Sequence, residues 1–218
     1  MRRVSLMARG LEDVVGEVVE VLEAGGVVAI PTDTCYGLAA DATRPECVSR
    51  VFELKRRSLS KPVSVFVDSV EFVLEEFEVD EIAERFLRLL PARLTLVLLA
   101  KKPGKYPAGI VGRSGGVGVR LSPHPLPTKL VERLGRPITA TSANISGRAP
   151  LYDPRDVERE LPGVDLVVDG GLLERVPTST VVDLTVRPPA VLRAGAVPVE
   201  YLEKKTGVKL VAAGRGGR

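Results

Sequence analysis

The sequence predicts a single α/β domain with a mixed parallel/antiparallel sheet flanked by helices. Segments with helical spacing of apolar residues alternate with short apolar segments along the chain, and this alternation is typical of an α/β architecture. The short segments are rich in Val, Ile and Leu, as buried strands are. Between 180 and 193 the turn-like sequence RPP separates two of them, which favours antiparallel pairing at that end of the sheet.

Spacing and turn residues place the individual elements in chain order. Apolar residues recur at helical spacing between Leu11 and Leu22, and Gly25-Gly26 ends this helix. Pro45 suits the first turn of a second helix, and Asp80 suits the N-cap of a later one. The predicted helices are 11–22, 45–55, about 69–77, about 80–90, 126–134, a short helix ending near 160, and about 199–205. The predicted strands are 27–30, 63–67, 94–100, 117–121, 137–141, 165–168, 180–185 and 190–193.

The other segments are predicted to be loops or tail. PTDTCYGL, at 31–38, follows the first strand, and 101–116 is rich in Gly, Pro and Lys, which are typical of a loop. We expect the domain to cover 1–208. The stretch 209–218, which ends in AAGRGGR, is expected to be a flexible tail.

Composition indicates a globular protein of the cytoplasm. The chain has 218 residues, of which 44% are hydrophobic, enough for one domain with a core. No apolar run approaches the roughly 18 residues that a membrane span needs, and the N-terminal MRRVSLMARG lacks the apolar region of a signal peptide. Cys35 and Cys47 cannot build a disulfide framework, which fits a reducing compartment. The net charge of +3 permits anionic ligands without requiring nucleic acid.

Several enzyme classes are excluded by the residues that the chain lacks. His124 is the only histidine and no GxSxG motif occurs, so a Ser-His-Asp hydrolase is not expected. One histidine and two separated cysteines cannot form a tetrahedral zinc site. Neither a GxxxxGK[ST] loop nor a GxGxxG after the first strand is present. GRSGGVG at 112–118 can cradle an anion, but by itself it is a weak signal.

Loops with small hydroxyl side chains point instead to a small polar ligand. PTDT (31–34) and TSANISG (141–147) follow predicted strands, where ligands of open α/β sheets gather. Arg120 and Arg193 fall on predicted strands, so each needs an anionic partner, either a phosphate or carboxylate ligand or an internal Asp or Glu. The residues alone therefore indicate a site for a small anion such as a nucleotide.

Seven segments in order carry a resemblance to a known family. They cover about residues 20–197, and their ordered combination is more specific than any one of them. The chain resembles the YrdC family of threonylcarbamoyl-AMP synthases, whose fold is an α/β domain with a twisted mixed sheet, and its length resembles the single-domain form. The segments are GGVVAIPTDTCYGLAADA, FELKRRSLSKP, LTLVL, VGVRLSPHP, PITATSANISG, STVVDL and AVLRAG.

This resemblance implies a nucleotidyltransferase. Its substrates would be ATP, L-threonine and bicarbonate or CO2, and its products threonylcarbamoyl-AMP and pyrophosphate, for N6-threonylcarbamoyladenosine at position 37 of tRNA. The resemblance also implies Mg²⁺ bound mainly by the ATP phosphates rather than by a protein-ligated site, downstream threonylcarbamoyl-transfer proteins as partners, and weak tRNA or double-stranded RNA binding. Such a reaction needs positioned cations and hydrogen-bond donors rather than a protein nucleophile, which matches the residues present.

Carried over by position, the resemblance also implies the site residues. Thr34, Arg120 and Ser179 would contact L-threonine, with Arg120 on its carboxylate. Lys55 and Arg57 would be catalytic contacts to the triphosphate and carboxylate. The implied nucleotide-binding residues are Lys55, Arg57, Lys61, Ala140, Ser142, Asn144 and Arg193.

Structural alternatives remain open for several of these residues. Lys55 and Arg57 could be charges at a helix C-terminus, and Ser142 and Asn144 could form a turn. Asn144 is the only asparagine and no glutamine occurs, which favours a specific role for this amide. Because Asp matches Asn in size, we expect an Asn144→Asp variant to fold with little change in melting temperature. Its negative charge would point toward the phosphates, so we expect it to lose most adenylate formation. Cys35 is expected to be a buried thiol rather than a nucleophile.

The chain departs from the family pattern at four places. Phe66 stands where some members have a histidine near the threonine, and Ala92-Arg93 replaces the usual Gly-Pro. Gly116 replaces a common threonine, and Pro150 replaces a serine. These departures concern local contacts.

Two other functions remain open at this point. One is a double-stranded RNA or ribosome-binding module, because a basic concave surface also suits a phosphate backbone. The other is a carbamoyl-transfer domain of the hydrogenase-maturation type. That type carries zinc-finger and acylphosphatase segments, for which 218 residues leave no space.

Overall fold

Short aliphatic runs form the strands of one sheet in the computed structural model, which describes residues 1–112 and 114–213. The strands are β1 (Arg2–Ser5), β2 (Val28–Pro31), β3 (Tyr36–Ala39), β4 (Ser64–Phe66), β5 (Leu94–Leu99), β6 (Gly116–Arg120), β7 (Ile138–Ser142), β8 (Leu166–Asp169), β9 (Thr180–Asp183), β10 (Ala190–Arg193) and β11 (Val211–Ala212). The helices are α1 (Leu6–Arg9), α2 (Leu11–Glu23), α3 (Pro45–Lys55), α4 (Val70–Glu76), α5 (Glu81–Leu87), α6 (Pro125–Leu134), α7 (Pro154–Glu160) and α8 (Val199–Thr206).

The sheet mixes parallel and antiparallel pairs, which confirms the predicted fold class. Its strand order is β1-β8-β2-β3-β7-β4-β6-β5-β9-β10-β11. The pairs β1/β8, β2/β8, β4/β6, β5/β9 and β10/β11 are parallel, and β2/β3, β3/β7, β4/β7, β5/β6 and β9/β10 are antiparallel. The antiparallel β9/β10 pair is the one that the RPP turn predicts. No described helix is long and apolar enough to cross a membrane.

Most predicted elements lie within two residues of the observed ones, and Asp80 caps α5 as expected, since its side chain accepts from the Ala83 amide at 2.8 Å. The sequence missed β1, α1, β3 and β11. The prediction of a loop over 31–38 was wrong for its second half, because Tyr36–Ala39 pairs with β2 on one side and β7 on the other. Within the predicted tail, Val211–Ala212 pairs with β10, and 214–218 lie outside the described residues.

The two halves of the sheet are covered differently, and this difference creates the site. Around β2 and β8, α2 and α6 pack on one face and α3 and α7 on the other. Around β5 and β6, α4, α5 and α8 pack on one face, where Leu94, Leu96 and Leu98 are buried. Thr95 and Val97 alternate with these leucines and face the other way, toward a cavity.

Candidate functional site

The face of the sheet opposite α4, α5 and α8 forms a cavity of about 680 Å³. Its floor consists of alternate residues of adjacent strands, as expected from the two-residue period of a strand, and its rim consists of loops. The floor residues are Ser64, Phe66, Thr95, Val97, Gly116, Gly118, Arg120, Ala140, Ser142, Val181 and Asp183. The lining also includes polar and charged residues outside the floor, among them Thr32, Thr34, Cys35, Arg57, Lys61, Ser179 and Arg193.

Arg120, at the end of β6, is the most buried cation of the cavity lining, at 7% exposure. Its Nη2 donates to Asp33 Oδ2 at 2.6 Å and lies 3.5 Å from Thr34 Oγ1. Its guanidinium lies 5.3 Å from the centre of the Phe66 ring. Burial lowers the pKa of Arg120, and the charge of Asp33 opposes that shift. Within the described part of the chain its buried Nε has no hydrogen-bond partner.

Asp33 holds this end of the site together, and the sequence reasoning did not single it out. Besides Arg120, its carboxylate accepts from Ser122 Oγ at 2.7 Å. Its backbone carbonyl accepts from Arg93 Nε at 2.9 Å, which gives the unexpected charge of Arg93 a structural role. The sequence does indicate that Arg120 needs an anionic partner and that an internal Asp or Glu is one possibility. No local pattern, however, identifies Asp33 as that carboxylate.

Thr34 and Cys35 follow β2 and lie beside Arg120. Thr34 is 5% exposed, and its Oγ1 lies 3.2 Å from Thr32 Oγ1. Burial raises the pKa of the Cys35 thiol, so the thiolate is disfavoured at this position. The pair thus offers a hydroxyl and an uncharged thiol to the cavity.

Ser179 and Arg193 meet in the cavity lining. Arg193 Nη2 donates to Ser179 Oγ at 2.9 Å, and its Nε donates to the Ser179 carbonyl at 3.0 Å. Thr95 Oγ1 lies 2.9 Å from Ser179 Oγ. Because Gly195 has no Cβ, the backbone after Arg193 can approach residues 178 and 179 closely. A Cβ at this position would lie 2.2 Å from the Thr178 carbonyl oxygen.

Arg57 and Lys61 form the basic rim that follows α3. Arg57 Nε donates to the Lys61 carbonyl at 2.7 Å, and its Nη2 donates to the Pro62 carbonyl at 3.1 Å. These bonds close a short loop after Arg56, which ends α3 with a φ of 47°. Partial burial lowers the pKa of Arg57. Both side chains line the cavity.

Lys55 and Asn144 lie behind the lining rather than in it. Lys55 is 1% exposed, and its ammonium donates to the Ser142 carbonyl and, at 3.0 Å, to the Asn144 carbonyl. The Asn144 Nδ2 group donates to the carbonyls of Ile145 at 2.9 Å and Arg148 at 2.8 Å. Ser142 and Ala140 do line the cavity. The structure thus brings eight of the ten sequence-predicted site residues into the cavity lining. The other two, Lys55 and Asn144, lie behind the lining and support it.

The cavity suits an anion. Among the described lining residues, Arg57, Lys61, Arg120 and Arg193 are cationic, and Asp183 is acidic. One oxygen of Asp183 is already occupied, since Oδ1 accepts from the Thr185 amide and hydroxyl at 2.9 and 2.6 Å. No group of three or more His, Cys, Asp or Glu side chains that could hold a metal ion occurs in 1–112 or 114–213.

The comparison with known families now decides the relationship. A family model named Sua5_yciO_yrdC and described as "Telomere recombination" matches residues 20–195. The chain belongs to the Sua5/YciO/YrdC family. The resemblance of the seven segments is thereby confirmed.

Members of this family similar to the chain include two curated relatives and one solved structure. A Pyrococcus abyssi protein named threonylcarbamoyl-AMP synthase is 39% identical over 189 residues, or 84% of this chain and 54% of the relative. A Mycobacterium tuberculosis protein named putative threonylcarbamoyl-AMP synthase is 33% identical over 206 residues, or 92% of this chain and 91% of the relative. The crystal structure of Pyrococcus abyssi Sua5 complexed with L-threonine has a TM-score of 0.86 at 35% identity, over 96% of this chain and 62% of that one.

The structure gives physical reasons for two departures from the Sua5/YciO/YrdC pattern. At Gly116 a Cβ would lie 2.5 Å from Val97 Cγ1, so a threonine there requires a different neighbour on β5. Phe66 lies against the Arg120 guanidinium, where the ring supports the cation by a cation–π contact. Pro150 is not among the residues that line the cavity.

Proposed function

We propose that this protein is an L-threonylcarbamoyladenylate synthase, which forms threonylcarbamoyl-AMP and pyrophosphate from L-threonine, bicarbonate or CO2, and ATP. The observation that carries the proposal is Arg120, a buried arginine that is paired with Asp33 and lines a cavity rich in cations and hydroxyls. The names of the two relatives support the same activity, although the chain spans only 54% of the Pyrococcus protein.

The end of the cavity around Arg120 suits the amino acid. A carboxylate in the cavity can accept from the guanidinium of Arg120, while the Asp33 pair holds that guanidinium in place. Thr34 and Ser179 supply hydroxyls in the same cavity that can bind the amine or the hydroxyl of threonine. Arg120, Thr34 and Ser179 therefore form the proposed threonine subsite.

The basic rim and the loop after β7 suit the nucleotide. Arg57, Lys61 and Arg193 supply positive charge for a triphosphate, and Ser142 and Ala140 border the same space. We propose that Mg²⁺ enters with ATP as the Mg-ATP substrate, bound mainly by the phosphates.

The chemistry requires positioning more than protein nucleophiles. The threonine nitrogen bonds to the carbon of CO2 and loses a proton, giving a carbamate. A carbamate oxygen then attacks the α-phosphorus of ATP, the bond from that phosphorus to the bridging oxygen breaks, and pyrophosphate leaves. Fixed cations that stabilise the developing phosphate charge accelerate such a step. The buried thiol of Cys35 is not needed as a nucleophile.

Measuring pyrophosphate release from ATP and bicarbonate, with and without L-threonine, tests this proposal. L-threonine is expected to stimulate release well above L-serine, by about 10–200-fold, because the enzyme must distinguish one methyl group. Equal stimulation by both amino acids would refute the threonine assignment. Mass spectrometry of the product separates threonylcarbamoyl-AMP from plain ATP hydrolysis.

The alternatives and the wider setting are distinguished by the same preparation. RNA binding that falls steeply with salt, without threonine-dependent turnover, would indicate the RNA-binding module instead. Turnover with carbamoyl phosphate in place of bicarbonate would indicate the carbamoyl-transfer domain.

Transfer of the product to tRNA by downstream threonylcarbamoyl-transfer proteins belongs to the proposal. Both cysteines are free and buried, as expected for a protein working in the reducing cytoplasm.

A further inference from the structure

Lys55 links the end of α3 to the loop that follows β7. Its ammonium donates to the carbonyls of Ser142 and Asn144, and the Ser146 amide donates to the Lys55 carbonyl at 2.7 Å. Three hydrogen bonds from one residue thus hold the segment 142–146, called the SAN loop below. At 1% exposure Lys55 cannot exchange these partners for water.

The SAN loop begins at the cavity residue Ser142, which ends β7 and pairs with Gly37 of β3. Beyond this pair and the two side-chain bonds of Asn144, it has few other anchors. The Ala143 amide donates to the Tyr36 carbonyl at 2.7 Å, and the Ile145 amide donates to Glu160 Oε1 at 2.8 Å. The two carbonyls that Lys55 binds face the protein interior. A buried carbonyl that loses its donor is costly, so removing the ammonium is expected to make the loop move.

We propose that Lys55 is a positioning residue, which fixes the SAN loop so that the Ser142 hydroxyl faces the nucleotide, and that it does not itself contact the phosphates. The identity of the nucleotide rests on the proposed function, whereas the clamp on the loop does not. Ser142 lines the cavity and Lys55 does not. The phosphate-contacting cations of this region are then Arg57 and Lys61.

The electrostatic surroundings of Lys55 agree with an internal clamp. Burial lowers its pKa to about 8, with Arg57 as the nearby cation that adds to the shift, while Cys35 and Glu160 oppose it. Both protonation states keep at least two N–H donors, which are enough for the two carbonyls. The clamp therefore persists on either side of this pKa.

Two variants at Lys55, whose new side chains match each other in length, test the clamp. Lys55→Met removes the donors and the charge, whereas Lys55→Gln removes the charge but keeps an N–H donor group. Arg57→Met removes a cation that lines the cavity and serves as the comparison. For each protein, amide hydrogen exchange over 143–146 is measured without substrates, and kcat and KM for ATP are measured in the pyrophosphate assay.

For Lys55→Met we expect exchange over 143–146 to become at least tenfold faster and kcat to fall about 100-fold, as for a small misplacement of a site. The KM for ATP should rise less than in Arg57→Met, whose loop exchange should stay unchanged. Lys55→Gln should recover about tenfold of the lost kcat. Unchanged loop exchange in Lys55→Met with a KM for ATP raised as in Arg57→Met would overturn the proposal, as would equal activity loss in Met and Gln variants.

The exchange measurement keeps the result decisive in two difficult cases. If Lys55→Met does not fold, loop exchange in Lys55→Gln decides, because a partial donor predicts intermediate protection. If the wild-type protein makes no threonylcarbamoyl-AMP, the proposed function fails. A faster-exchanging SAN loop in the Lys55 variants would still establish the clamp.

Discussion

Arg120 Nη2 lies 2.6 Å from Asp33 Oδ2, and both side chains are less than a tenth exposed. The pair joins the end of β6 to the loop after β2, 87 positions away in the chain. It leaves Nε without a partner among the described residues. The carboxylate thus orients the guanidinium of Arg120, which lines the cavity, before any ligand binds. Such preorganisation reduces the reorganisation that binding requires.

Breaking this pair should destabilise the fold. Asp33→Asn keeps the size of the side chain but leaves the Arg120 charge uncompensated in a buried place, so the free energy of unfolding should fall by about 3 kcal/mol. Denaturant unfolding measures this. Asp156→Asn, in an exposed pair with Arg159, should change stability by less than about 1 kcal/mol. Equal effects of the two substitutions would contradict the importance of burial.

Arg120→Ala should weaken the binding of L-threonine far more than that of ATP. Losing the buried partner of the carboxylate should cost about 2–5 kcal/mol, or at least about 30-fold in Kd. Isothermal titration with each ligand measures both affinities. Arg133→Ala, an exposed arginine on α6, is the control and should bind both normally. A collapse of ATP affinity alone would mean that Arg120 meets the phosphates.

Asn144→Asp should lower both stability and activity. The sequence suggested that this variant would fold normally, but the Nδ2 group of Asn144 donates to two backbone carbonyls. A carboxylate cannot donate these bonds and would repel both oxygens, at a cost of about 2–4 kcal/mol. Melting temperature and pyrophosphate release on one preparation test this. An unchanged melting temperature would mean that the two amide bonds contribute little.

Gly195→Ala should disrupt the Arg193–Ser179 wall. The new Cβ would approach the Thr178 carbonyl oxygen to 2.2 Å, and the backbone must move to relieve this. We expect a loss of about 1–3 kcal/mol in unfolding free energy and weaker ligand binding. Gly16→Ala is the matched control, because nothing lies within 4 Å of its Cβ position. As a substitution within α2 it should stabilise by about 0.5–1 kcal/mol.

The pH dependence of stability should report the burial of Lys55. Its pKa falls from the ordinary 10.5 to about 8 on folding, so between these values the unfolded chain binds more protons than the folded one. The stability of the wild type relative to Lys55→Met should therefore rise with pH from about 8 toward 10.5, and the penalty for burying the charge should be complete below 8. Denaturation at pH 7 and pH 9.5 tests the sign, which a solvent-exposed Lys55 would not produce.

Local patterns predicted most of the secondary structure. The helix α3 from Pro45 to Lys55 and the N-cap at Asp80 follow from spacing and capping residues alone. The strand β3 escaped prediction because Tyr36–Ala39 is only four residues long and follows a polar turn without any break. Its strand geometry comes from its two partners, β2 and β7, and no pattern within the segment encodes them.

Sequence patterns alone are enough to identify the family, the mixed α/β fold and the segments from which the site is built. Tertiary packing, by contrast, sets which side chains face the cavity and which support it: Arg120 faces it with Asp33 behind, and Ser142 faces it with Lys55 behind. Secondary structure depends on near neighbours and on period, which the sequence displays directly. The Arg120–Asp33 partnership, across 87 positions, depends on strand order and on register, because a shift of one residue in β6 would turn the Arg120 side chain to the other face.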